Sequence, residues 1–301
     1  MEKIIAITGT TATGKTEISI KLAETLNGEI ISADSMMVYK YMDIGTAKPS
    51  LEERQGIPHY VIDVVYPNEN FSVQDFLNIA NKKIREIQSK GKTPIVVGGT
   101  WLYIQALLYG LSKAPPADIK IREELYKESK ETLYKKLLEV DPVYAKKIHI
   151  NDKKRTVRAL EVYYLTGKPF SSFHSWNKPL YDFIGFVFSR EKHQIMERIE
   201  KRVEKMFELG LVDEVKFLIE KGFKNSLTAM QAIGYKEIIP YIEGKISLEE
   251  SKKQIIKNTK NFAKIQIRTF KNKFKDKNWY HLDITNCKNK EILDKILEKM
   301  N

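Results

Sequence analysis

A chain of 301 residues, 42% aliphatic or aromatic and 30% charged, has enough apolar mass for one or two packed domains. Its formal charge of +12 points to an anionic partner larger than one small phosphate, a general lysine bias being the plainer explanation. Cys287 is the single cysteine, which excludes an internal disulfide framework and a cysteine cluster for zinc; no apolar run suits a membrane span, and polar Thr8 to Thr11 interrupt the N-terminal run before a signal-peptide core, so the sequence predicts a cytoplasmic protein.

Lys3 to Thr8 (KIIAIT) reads as a buried strand and Glu17 to Asn27 as an amphipathic helix ended by Gly28. Between them lie Gly9, Thr10, Thr11, Ala12, Thr13, Gly14, Lys15 and Thr16 (GTTATGKT). Glycines at the first and sixth places let backbone amides turn inward, Lys15 adds a point charge for phosphate oxygens, and the Thr16 hydroxyl suits magnesium. The usual meaning of this pattern is nucleotide binding; a bland glycine-rich turn is the alternative.

Glu29 to Ala33 (EIISA) is a second buried strand, ending in Asp34 and Ser35. Ligands of open parallel sheets sit beyond the carboxyl ends of the strands, so Asp34 is expected to face the phosphate cradle, although it also suits a turn or helix cap. Asp43 to Pro49 (DIGTAKP) reads as loop, and His59 to Val65 as a third strand. The run into Asp63 mimics the apolar strand whose terminal Asp holds magnesium in many P-loop ATPases, but Asp34 is the preferred candidate. Phe71 to Lys90 is an amphipathic helix stopped by Gly91. Thr93 to Gly98 (TPIVVG) is the most apolar strand, followed by Gly99, Thr100 and a helix over Trp101 to Tyr109. Thr100 is therefore expected at the crevice mouth, with helix capping as its plainer task.

From Lys113 to about Tyr181 the alternation stops and a basic, mainly helical stretch follows, containing Asp118 to Leu125 and Asn151 to Gly167, the latter capped by Asp152. Arg155 and Arg158 share a face there and suit phosphates, while Glu161 offers Arg158 an ion pair. Phe183 to Ser189 restores a buried strand. Arg190 to Leu209 is helical up to the Gly210 break, with Arg198 and Arg202 on one face flanked by Glu200 and Glu204, which favours surface ion pairing. Thr228 to Tyr235 starts another helical unit. Between Lys252 and Lys277 ten Lys or Arg stand against one acidic residue, Asp276. Lys253, Lys257, Lys260, Lys264, Arg268 and Lys271 recur every three or four residues, a polyanion-binding stripe, with Phe262, Ile265, Phe270 and Phe274 off it and available to the core. A short strand at Trp279 to Leu282 and an amphipathic helix close the chain.

These features predict an α/β fold: a P-loop NTPase-like parallel sheet core over 1–112 and 182–301, with a mainly helical, basic insertion over 113–181. They predict a phosphorylated ligand and a nucleic acid, and leave the reaction open between classes, a P-loop small-molecule kinase among them.

From Ile5 to about Lys271 the sequence resembles the tRNA dimethylallyltransferases. The resemblance rests on GTTATGKT, on ADSMMVYKYMDIGTAKP from Ala33 to Pro49, on GGTWLY from Gly98 to Tyr103, on RALEVYYLTGKP from Arg158 to Pro169, and on MQAIGYKE from Met230 to Glu237. It implies transfer of a dimethylallyl group from dimethylallyl diphosphate to the exocyclic amine of the adenosine 3′ of the anticodon, with magnesium, on a tRNA anticodon stem-loop; a monomer is expected, though the sequence does not fix the oligomeric state. A related isopentenyltransferase acting on free adenylate is the close alternative. By resemblance Asp34 is the general base, Thr100 positions the reacting groups, and Arg202 meets the diphosphate. Ser35, Met36, Met37, Val38, Thr100, Arg122, Lys154, Arg155 and Arg158 match positions that touch tRNA. Met37 and Lys154 each stand where glutamine is usual, and Trp101 where the family has glycine.

Overall fold

The computed structural model describes residues 3–112, 114–173 and 178–300. In chain order these form β1 (Ile4–Gly9), α1 (Lys15–Thr25), β2 (Gly28–Ser32), β3 (His59–Tyr60), α2 (Val73–Ser89), β4 (Thr93–Gly98), α3 (Trp101–Tyr109), α4 (Ile119–Lys127), α5 (Lys130–Val140), α6 (Pro142–Ala145) and α7 (Lys153–Thr166). Then come β5 (Phe183–Ser189), α8 (Lys192–Glu208), α9 (Leu211–Glu220), α10 (Ile238–Ile242), α11 (Leu248–Lys273), β6 (Trp279–Asp283) and α12 (Asn289–Met300).

The strands make a six-stranded sheet of order β3-β2-β4-β1-β5-β6, parallel at every pairing. The central strands are near-continuous aliphatic runs because helices cover a parallel sheet on both faces. Ile5, Ile7 and Phe186 pack with Ile18 and Leu22 of α1 in one core cluster, all below 2% exposed. Ser72 opens α2 with a capping box to Asp75, and Phe76, Ala80, Ile84 and Ile87 repeat along its buried face.

Two compact units divide the chain: residues 1–108 with 180–301, which hold the sheet, and residues 109–179. The anticipated insertion ran over 113–181; residue 113 and residues 174–177 lie outside the described residues. Within the second unit Leu125, Leu133, Leu137, Val157 and Leu160 form a separate core, and Asp152 caps α7 through Arg155 N.

Four local expectations change. Gly28 opens β2 instead of ending α1, because Asn27 takes the left-handed turn position. The third strand shrinks to His59–Tyr60, since Val61 and Asp63 adopt positive φ and leave the extended region. Thr228 to Tyr235 contains only a short 3-10 turn, Ala229–Gln231, ended by extended Ala232 and by Gly234 at φ 104°. On α11 and at its C-cap, Phe270 and Phe274 are buried as anticipated, whereas Phe262 and Ile265 are 45% and 54% exposed, so only part of the apolar set faces the core.

Candidate active site

The carboxyl ends of β1, β2 and β4 open together into a crevice of about 1140 Å³, lined among others by Lys15, Thr16, Asp34, Thr100 and Arg202. The chain geometry at these ends requires glycine twice. A Cβ at Gly9 would meet Phe188 O at 2.4 Å, and one at Gly98 would meet Ala33 O at 2.0 Å. Adjacent strand ends therefore approach more closely than residues with side chains permit.

Beyond β1 the GTTATGKT loop wraps into α1, whose N-cap Gly14 is left-handed and offers no side-chain cap, so the first-turn amides suit an anion. Lys15 Nζ donates to Gly9 O at 2.9 Å and Thr10 O at 2.8 Å. Burial, with the Arg202 charge, brings its pKa down to about 7, against a smaller upward pull from Asp34. Thr13 Oγ1 donates to Thr10 O, which stiffens the turn. Thr16 is exposed at the crevice wall.

Three arginines hold this loop, one from the turn between β5 and α8 and two from α8. Arg190 donates to Thr13 O at 3.1 Å, Arg198 to Ala12 O at 2.7 Å, and Arg202 to Thr11 Oγ1 at 3.2 Å. The anticipated surface pairing of Arg198 and Arg202 with Glu200 and Glu204 does not form. Those glutamates face the other way and bind Lys260 and Lys252 of α11. Residues 198 and 202 share one side of α8 and residues 200 and 204 another, so helical phase separates the two sets.

At the end of β2, Asp34 Oδ1 accepts from Met36 N at 2.9 Å, an Asx turn that leaves Asp34 half-buried in the crevice. Ser35 N donates to Thr100 Oγ1 at 3.0 Å, and that hydroxyl donates to Ser35 Oγ at 3.2 Å. The Thr100 carbonyl starts α3 while its hydroxyl ties β4 to β2, so it does not serve as a side-chain cap. Asp63 belongs elsewhere, ion-paired with buried Lys48 at 2.6 Å, in agreement with its lower ranking.

The tRNA-contact candidates separate by environment. Ser35, Met36 and Met37 are half-buried and line the crevice. Val38 departs from expectation: its side chain is fully buried and its carbonyl accepts from Val64 and Val65, so it supports the turn from below. In the second unit Arg122 and Arg158 both clasp fully buried Glu161, while Lys154 and Arg155 are exposed. On α11, Lys253 pairs with Glu249 and Lys260 with Glu200; Lys257, Lys264, Arg268 and Lys271 are exposed with no carboxylate partner among the described residues.

Sequence reasoning missed the residues that fasten these pieces. Glu214 of α9 accepts from the amides of Asp43, Ile44 and Gly45 and from Tyr235 OH, fixing the DIGTAKP loop beside Arg202, which reaches Thr46 O at 3.5 Å. Gln266 of α11 bonds to both Thr11 and Gly99. Neither belongs to a periodic pattern, although Gln266 lies in the Ile265 to Thr269 run, which differs from the family's usual RQLTW-like run.

A phosphate loop joining the first strand and helix of a parallel sheet, faced by a carboxylate and arginines, defines a P-loop α/β protein, a class whose loop is shaped for phosphate. A family model described as IPP transferase matches residues 37–273. The chain is 61% identical to the tRNA dimethylallyltransferase of Sulfurihydrogenibium sp., covering 99% of this chain and 97% of that protein. It is 52% identical to the enzyme of the same name from Aquifex aeolicus, over 98% and 96% of the two. Among solved structures, the tRNA isopentenylpyrophosphate transferase of Bacillus halodurans superimposes with a TM-score of 0.75 at 39% identity, covering 100% of this chain and 96% of that one. A eukaryotic dimethylallyltransferase acting on tRNA gives 0.82 at 35% identity, over 95% and 75%. The chain belongs to the IPP transferase family.

Proposed function

We propose that this protein transfers a dimethylallyl group from dimethylallyl diphosphate to the exocyclic amine of the adenosine 3′ of the anticodon in tRNA, releasing diphosphate. The observation that carries this reading is the meeting of the phosphate loop, Asp34, Thr100 and Arg202 in one crevice. A kinase needs a loop for phosphate; a carboxylate and a hydroxyl bridge on the next two strand ends suit an amine nucleophile as well.

In this reading the amine nitrogen forms a bond to the allylic C1 as the C1–O bond to diphosphate breaks. The Asp34 carboxylate takes the amine proton, the Asx turn holding one of its oxygens in place. Lys15, the first-turn amides of α1 and Arg202 meet the charge that grows on the departing diphosphate. Thr100 fixes Ser35 and so the backbone that carries Asp34.

Magnesium fits the chemistry of the crevice, where the exposed Thr16 hydroxyl supplies a hard oxygen donor beside a phosphate cradle. The described residues hold no cluster of three or more His, Cys, Asp or Glu, so Thr16 would hold the ion together with diphosphate oxygens and water. When bound, magnesium neutralises the leaving group.

An anticodon loop is single-stranded, so its target base leaves the stack at low cost and reaches a recessed amine site. The exposed basic residues of α11, with Lys154 and Arg155, are suited to the phosphates of its stem. No described helix is long and apolar enough to cross a membrane; a cytoplasmic, monomeric enzyme acting on tRNA is part of this proposal.

Incubation with labelled dimethylallyl diphosphate and tRNA, and separately with labelled ATP, tests the reading. Label in tRNA only from the prenyl donor is expected; phosphate transfer without prenyl transfer would overturn it. Asp34→Asn is expected to retain tRNA affinity and lose turnover by about a hundredfold or more.

A further inference from the structure

Gln266 lies on α11, far in sequence from both strand ends, and is 6% exposed. Its Oε1 accepts from Thr11 N at 2.9 Å, and its Nε2 donates to Gly99 O at 3.2 Å. The chemistry of the partners fixes the orientation of the amide, since a backbone N–H requires the oxygen and a carbonyl the NH₂. Each partner stands one step from a reacting group. Thr11 Oγ1 accepts from Arg202, and Gly99 precedes Thr100, whose hydroxyl holds Ser35 beside Asp34.

We propose that Gln266 is a positioning residue that sets the separation between the phosphate loop and the Asp34–Thr100 strand ends, and thereby between leaving group and nucleophile. This rests on the transfer reading above. The carboxamide joins the loop at Thr11 to the end of β4 at Gly99 through one hydrogen bond on each side. In-line displacement at carbon is steeply sensitive to such a distance, because reacting atoms must already lie near contact. The bridge needs one acceptor and one donor at opposite ends of a planar group. Methionine matches the length of glutamine and offers neither. A carboxylate keeps the acceptor but turns lone pairs toward Gly99 O and sets a negative charge beside the diphosphate. Its protonated form regains a donor, so a glutamate at this place is competent only as the neutral acid.

The test compares full-length wild type with Gln266→Met and Gln266→Glu in single-turnover transfer at saturating donor and tRNA and in steady-state transfer with each substrate varied in turn, with melting temperatures measured alongside. For Gln266→Met we expect turnover to fall by about ten- to a hundredfold, with both KM values within about threefold of wild type. For Gln266→Glu, turnover relative to wild type is expected to rise by about fivefold or more between pH 8 and pH 6, as the buried carboxyl protonates. An unchanged Gln266→Met turnover overturns the proposal, as does a Gln266→Glu to wild-type ratio that stays flat with pH. If Gln266→Met does not fold, the pH ratio of Gln266→Glu decides alone. An inert wild type defeats the transfer reading itself; an active wild type with unmoved variants defeats only the role of Gln266.

Discussion

Lys15 shows how one residue links the site to pH. Burial, reinforced by Arg202, holds its pKa near 7 despite the pull of Asp34. A diphosphate beside it favours the ammonium and raises that value. Above pH 7 the free enzyme therefore carries a largely neutral Lys15, the complex carries a charged one, and binding takes up a proton. Affinity for diphosphate should weaken with rising pH by up to about tenfold per unit, from pH 7 to the raised value in the complex; below pH 7 Lys15 is charged in both states, so its contribution is complete there and its pH dependence disappears. Calorimetric titration of diphosphate at pH 8, in buffers of different ionisation enthalpy, should register uptake of up to one proton per site. No uptake there would refute the assignment. This coupling was invisible in the sequence, which gives the lysine its place in a phosphate loop but not the desolvation or the neighbouring guanidinium.

The long helix α11 marks where sequence periodicity succeeds and where it ends. Its extent, its capping box at Ser247 and Glu250 and its lysine spacing follow from local residues. Strands β1, β4 and β5 were equally legible, being aliphatic runs bounded by loops, and the three strand ends could be read toward one crevice from topology alone. The stripe itself was overcounted: Lys260 is paired across to Glu200 of α8, sixty residues away, and no count of charges within the helix can see that partner. Phe262 and Ile265 were misjudged for the same reason, because spacing fixes a face but not what covers it. Lys257 and Lys264 remain exposed without carboxylate partners among the described residues, and these should carry RNA phosphates. Lys257→Ala combined with Lys264→Ala is expected to flatten the slope of log Kd against log salt by about 1.4 to 1.8, two contacts' worth. Lys253→Ala with Lys260→Ala, whose charges are already shared with glutamates, should change it less. Anisotropy titrations of labelled tRNA from low to moderate salt measure both slopes, and equal changes in the two pairs would contradict this division.

At the scale of the whole molecule, two units have separate cores, and every residue named in the crevice belongs to the one that holds the sheet. The other, residues 109–179, has a small aliphatic core and, separately, a fully buried carboxylate. Glu161 is fully buried there, where desolvation raises its pKa, but hydrogen bonds from Arg122, Arg158 and the Asp118 amide prevail and hold it below the ordinary carboxylate value. Its stabilising contribution is thus complete above the ordinary carboxyl value and is lost as pH falls through the depressed one. Glu161→Gln would leave two guanidiniums facing a neutral group and should cost about 2 to 3 kcal/mol, the lower range for a broken buried pair because Arg122 is partly solvated. Since the cores are separate, the loss should be local. Hydrogen exchange is expected to accelerate in α4, α5 and α7 while β1 and β4 keep their protection, and calorimetric diphosphate affinity should stay within about twofold of wild type. Equal loss of protection in both units would mean that the molecule unfolds as one cooperative body, and that the buried glutamate stabilises the sheet as much as the helices around it.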